Sequence, residues 1–174
     1  ATMNPESTCV GRPTPAALVS SGLYLLEFDL SQQAKVITIR SEAFNEVRSV
    51  YMDGRKHPSP DQRFATGHSI GRWEGNTLVI DVTGFNDQTW FDRAGNFHSD
   101  ALHIVERYTP AGRGILNYEA TIEDPKVFTR PWKISMPLYR RIEPNVQILD
   151  YHCYTFEDRT KGLTVPLFRE SPLK

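Results

Sequence analysis

Asp87, His98 and Glu106 have the side-chain types that move protons, and they follow one another through the middle of the chain. Imidazole beside carboxylates is the commonest proton-transfer set near neutral pH. Glu106 stands in ALHIVERY (101–108), where period-two alternation groups it with Leu102, Ile104 and Tyr108, opposite Ala101, His103, Val105 and Arg107. A carboxylate on an apolar strand face must be paired with a cation or kept protonated, because burying a lone charge costs several kcal/mol. It is then either the partner of an inward arginine such as Arg72, or a general acid or base with a raised pKa. His98 closes a polar, aromatic loop (85–100) that holds Asn86, Asp87, Trp90, Phe91, Asp92 and Asn96, in the position of a residue hanging at a barrel mouth. In extended chain His98 and Glu106 lie up to about 26 Å apart. A pocket bridged by substrate is therefore expected rather than a hydrogen-bonded dyad.

Other chemistries find less support. No HxH or HExxH spacing occurs, so His68, His98, His103 and His152 make a metal site only by long-range convergence, and no metal is expected. No GxSxG elbow accompanies Ser69 or Ser99, and no glycine-rich phosphate loop is present, so neither a serine nucleophile nor a nucleotide or other cofactor is expected.

The elements that must position these residues are strands. HSIGRW (68–73) and TLVIDV (77–82) flank Glu74-Gly75-Asn76, a turn sequence suited to a tight hairpin. On the first strand His68, Ile70 and Arg72 share a face opposite Ser69, Gly71 and Trp73. On the second, Thr77, Val79 and Asp81 oppose Leu78, Ile80 and Val82. If the Leu78 and Ile80 face is the core, Asp81 is solvated; if the interior is a polar pocket, Asp81 lines it. Upstream, LYLLEFDL (23–30), KVITIR (35–40) and EVRSVYM (46–52) read as strands, with SEAFN (41–45) as a turn or bulge and the proline-containing 55–66 as a loop. Downstream, ILNYEATIE (115–123) alternates strictly. WKISMPL (132–138) puts Trp132, Ile134, Met136 and Leu138 on one face, with Pro137 marking an edge or bulge, and 145–156 supplies a last strand.

About eight or nine strands separated by short turns predict an all-β protein, a single antiparallel barrel. A barrel of that size is either filled or holds one small ligand. Residues 1–21 read as an extended arm lying on the domain and 157–174 as a tail. Trp73 is expected packed on the hairpin and Trp90 at the pocket mouth. Trp73, Trp90, Phe91 and Tyr118 would shape an apolar cavity, with His68, Arg72 and Asn86 adding polar contacts to a substrate.

At 174 residues the chain suits one domain. Twenty Lys and Arg against 21 Asp and Glu leave a net charge of −1, which disfavours nucleic acid as a partner. No apolar run is long enough to span a bilayer, so no membrane association is expected. The two cysteines, Cys9 and Cys153, read either as free thiols or as one bridge tying the arm to the last strand, which would need an oxidising compartment. The first dozen residues have no signal-peptide character, as in a mature chain after cleavage.

YMDGRKHP, GHSIGRWEGNTLVIDVTGFNDQTWFD, HSDALHIVERY and TIEDPKVFTRPW, spread over 47–153, resemble the corresponding strings of a large family of uncharacterised bacterial proteins. Its members commonly look exported, with one cysteine ahead of a Gly-x-Pro arm and another in the last strand, positions that Cys9 in CVGRP and Cys153 in DYHCY match. The resemblance implies a lipocalin-like barrel, a periplasmic or secreted location and a Cys9–Cys153 disulfide. The chain departs from the family at SSGLYLLEFDLSQQAKVITI (20–39), where members are richer in proline. The residues themselves leave three readings: an enzyme acting by proton transfer on a small, largely apolar organic molecule, of isomerase, cyclase, lyase or dehydratase type; a noncatalytic small-ligand binding barrel; or a structural protein with a filled barrel.

Overall fold

Period-two alternation becomes a sheet in a computed structural model that describes residues 14–19, 25–30, 35–92 and 94–149. Strands β1 (Leu26–Asp29), β2 (Val36–Ser41), β3 (Glu46–Tyr51), β4 (His68–Glu74), β5 (Thr77–Thr83), β6 (His103–Gly112), β7 (Ile115–Glu123) and β8 (Trp132–Tyr139) lie side by side in chain order. The sheet curls into a half-barrel; the protein is all-β and lipocalin-like. Among the described residues no pairing joins β8 back to β1.

Two tight turns set the register. Glu74 pairs with Thr77, leaving Gly75 and Asn76 as a two-residue turn in which Gly75 takes φ 61°. A positive φ at the first turn position matches the right-handed twist of the strands it joins. Between β2 and β3, SEAFN is a turn, and Phe44 and Asn45 both adopt left-handed backbone there, with φ 61° and 51°.

One pair departs from the antiparallel expectation: β3 runs parallel to β4, with Val50 opposite Ser69 and Tyr51 opposite Ile70. Parallel neighbours need a long return, and the 52–67 segment, with Pro58 and Pro60, supplies it. Gly71 lets the two strands approach. A Cβ there would lie 2.3 Å from Met52 Sδ and 2.8 Å from Val50 Cγ1.

The concave face holds the core. Ile37, Ile39, Val50, Leu78, Ile80, Val82, Ile104, Tyr108, Tyr118, Ala120 and Ile122 are buried in it together with Phe85 and Leu102. Trp132, Ile134, Met136 and Leu138 of β8 pack against it from one strand face, as their alternation requires. Ala16, in the helical turn α1 (Ala16–Val19), is buried in the same core. This part of the arm is thus a core element rather than an extended strip on the surface. The expected last strand is not formed over 146–149; its remainder, Cys9, Cys153 and the tail lie outside the described residues.

Candidate functional site

Glu106 sits fully buried at the middle of β6, on the face that alternation assigns it. Its cation is Arg48 of β3, not Arg72. Arg48 Nη2 donates to Oε2 at 2.5 Å, while Oε1 accepts from Thr14 Oγ1 at 2.5 Å, Tyr118 Oη at 2.9 Å and Tyr108 Oη at 3.2 Å. Arg48 also donates to Ser69 Oγ at 2.9 Å and Thr14 Oγ1 at 3.1 Å. Burial pushes both phenols well above their ordinary pKa, so they remain donors. Every part of this carboxylate faces a donor. Arg72 lies on the convex face, bonded to Glu74.

Glu46 stands one inward step from Arg48 on β3 and has a different character. Burial raises its carboxyl to about 7, with the Arg48 charge opposing the shift. With Arg48, Thr14, Ser41, Ile39 and Leu18 it lines a small, partly open pocket of about 30 Å³.

His98 does not hang at a mouth; it is 1% exposed. Its Nδ1 donates to the Ser99 carbonyl at 2.9 Å and its Nε2 faces Thr89 Oγ1 at 2.6 Å, while the edges of Phe85 and Phe91 enclose the ring. Desolvation holds it below the usual histidine range, hence neutral. The surrounding loop spends its polar groups on itself. Asp92 accepts from Ala94, Asn96 N and Asn96 Nδ2, Asn86 Oδ1 accepts from Gln88 N, and Asp124 accepts from Ser99 N, Ser99 Oγ and Lys126 N. Asp87 is exposed and takes a bond from Gln88 Nε2, acting on His98 only through space. The hydrogen-bond partners of His98 and of Glu106 do not overlap.

The convex face carries a cluster of titratable groups. Register places His68 on β4, Asp81 on β5, and His103 on β6 across from Glu123 on β7, while the 52–67 return drops His57 among them. Asp81 Oδ1 meets His57 Nε2 at 3.0 Å, and Oδ2 meets His103 Nε2 at 3.2 Å. His57 Nδ1 lies 3.0 Å from His68 Nδ1, and Tyr51 stacks on the His68 ring. His103 Nδ1 is 3.9 Å from Glu123 Oε2, too long for a hydrogen bond. Asp81 raises His103 above the usual imidazole value, and the bond from His103 holds the Asp81 carboxylate below its own. Burial lowers His68, helped by the charges of His57 and Arg55. Two histidines of one cluster are thus driven in opposite directions. His57 and His103 stand in the wall of an open cleft of about 270 Å³, with Pro58, Arg63, Phe64 and Asp100 around them.

Of the residues singled out from the sequence, Tyr118 joins Glu106 in the core, and His68 joins the convex cluster. Phe91 packs on His98, Phe128 and Trp132. Trp90 is half-buried and its backbone bridges to Phe97. Trp73 is 55% exposed near the hairpin tip, so it is not a packed core residue. The sequence singles out neither Arg48 nor Glu46 nor His57; it leaves Asp81 either solvated or lining a polar interior, and with Leu78 and Ile80 in the core Asp81 stands on the convex face, where His103 joins it instead of a metal site. The parity of Arg48 and Glu46 with Val50 was available as a signal; nothing in its proline-flanked loop marked His57. Among the described residues no set of three or more His, Cys, Asp or Glu is arranged to hold a metal ion. Comparison with protein-family models, with curated proteins and with solved structures returned no match.

Proposed function

We propose that the protein is a small-molecule enzyme working by acid/base proton transfer, of isomerase, cyclase, lyase or dehydratase type, with the cleft beside His57 and His103 as its site. The observation that carries this reading is the Asp81 carboxylate shared by two imidazoles that both stand in the wall of that cleft, His57 Nε2 at 3.0 Å and His103 Nε2 at 3.2 Å. A carboxylate fixed on one ring nitrogen orients the imidazole and stabilises its protonated form, which leaves the other nitrogen to exchange a proton with substrate. His103 Nδ1 is that nitrogen. His57 and His68 extend the hydrogen-bonded chain. The substrate is a small organic molecule whose largely apolar body lies on Pro58, Pro60 and Phe64. Glu106 and His98 support the fold in this reading.

Exchange of C–H hydrogens from a panel of enolisable ketones and acids, incubated with the protein in D2O and followed by NMR, tests it. His103→Gln is expected to lower the exchange rate roughly 100- to 10,000-fold with the fold intact. Equal rates from the variant and the wild type would remove the claim.

The family resemblance supports a periplasmic or secreted location and a Cys9–Cys153 bridge, which would add a few kcal/mol by restricting the unfolded chain. Mass analysis with and without reductant checks the bridge. Two thiols open to alkylation in the nonreduced, denatured protein would exclude it.

A further inference from the structure

We infer that the substrate carries a carboxylate that docks on Arg63, making Arg63 the specificity-determining residue of the cleft; this rests on the acid/base reading of the same site. In the lining Arg63 is the guanidinium and Asp100 the carboxylate, His103 is raised above the usual imidazole value by Asp81 behind it, and Asp61 next along the loop acts on Arg63 through space. Each anion is already satisfied elsewhere. Asp81 sits between two imidazoles, and Asp100 is held by Lys126 Nζ on Oδ1 at 2.5 Å.

What remains for Arg63 is a loose contact, Nη2 to Asp100 Oδ2 at 3.5 Å. A guanidinium presents a planar fork suited to two parallel bonds with one carboxylate, and this contact fills one arm of it poorly. An incoming carboxylate would complete the fork without stripping Asp100 of its cation, because Lys126 stays in place. The apolar body then has a surface to rest on: Phe64 is 38% exposed beside Pro58 and Pro60. An aromatic ring left that open next to an arginine and two prolines suits the hydrocarbon part of a small organic acid better than water. A carboxylate on Arg63 would also fix the rest of the molecule within the cleft that His103 lines.

Phenylacetate and its uncharged counterpart phenylacetamide serve as probes, titrated into isotope-labelled wild-type protein and followed by NMR. Phenylacetate is expected to shift the signals of Arg63 and Phe64 and to bind at least tenfold more tightly than phenylacetamide. Arg63→Gln should abolish that preference, leaving the weak binding of phenylacetamide unchanged, while Arg63→Lys should keep part of it. Arg63 is solvent-accessible, so these changes leave the fold undisturbed. Failure of phenylacetate to bind, equal binding of the two probes, or a preference that survives in Arg63→Gln would overturn the inference. His103→Gln separates the two ideas. If it keeps the Arg63-dependent preference but the wild type shows no His103-dependent exchange, the carboxylate site stands and proton transfer falls. If His103-dependent exchange occurs on neutral ketones and the preference is absent, the reverse holds.

Discussion

Arg48 and Glu106 form an ion pair inside an apolar barrel, and two phenols and a threonine hydroxyl complete it. Pairing of this kind roughly offsets desolvation, and the large penalty falls on removing one partner. Arg48→Met should therefore cost about 3–5 kcal/mol in urea unfolding, and Arg48→Met with Glu106→Leu should recover most of it. A single variant as stable as wild type would mean that the pair does not hold the core. Glu46 makes a prediction of the opposite kind. Its folded carboxyl titrates at about 7 against 4.5 unfolded, so the folded state binds the proton more tightly. Its contribution to stability is full below about pH 4.5 and is lost as pH rises to about 7. Glu46→Gln should accordingly gain about 1–3 kcal/mol at about pH 8 and nothing at about pH 4, in the same unfolding assay. A gain independent of pH would point to packing rather than charge.

At the scale of elements, the alternation in β6 and β7 carried its information intact. Ile104, Glu106 and Tyr108, and Tyr118, Ala120 and Ile122, are buried on the parity that the sequence assigns them. The two-residue turn at Gly75-Asn76 was equally legible, because glycine takes the positive φ of its first position at no steric cost. Trp73 has the parity of Ser69 and Gly71, yet it stands beyond the core at the hairpin end, and parity says nothing of how far along a strand the core extends. Nor can local turn chemistry reveal a parallel pair. The β3–β4 pairing depends on where the 52–67 return lets the chain re-enter, and that return also delivers His57 to Asp81. The polar loop misled for a related reason. Asn86, Asp92 and Asn96 have the composition of a binding site, but their hydrogen bonds close the loop on itself, and His98 turns inward between two phenylalanines. Composition does not distinguish a polar group that awaits a ligand from one that caps a turn.

For the whole molecule, the curled sheet separates two polar assemblies by face. The concave one is largely closed: a saturated ion pair, a small, partly open pocket and a core-packed α1. The convex one is open, and its groups are tuned apart, His103 raised by Asp81 and His68 lowered by burial. Pairs of titratable groups whose surroundings separate their pKa values are the arrangement by which one site supplies both acid and base near neutrality. His103 takes the substrate proton in its neutral form, which Asp81 defers to higher pH, so the exchange rate should rise with pH through the His103 titration and level off above it. The measurement that reaches this claim most directly needs no substrate: titration of the histidine ring signals by NMR in the wild type and in Asp81→Asn. His103 is expected to titrate above the ordinary value of about 6.5 and His68 below it, and His103 to fall back when the carboxylate is neutralised. His103 titrating at its ordinary value in both proteins, unmoved by the loss of Asp81, would contradict it.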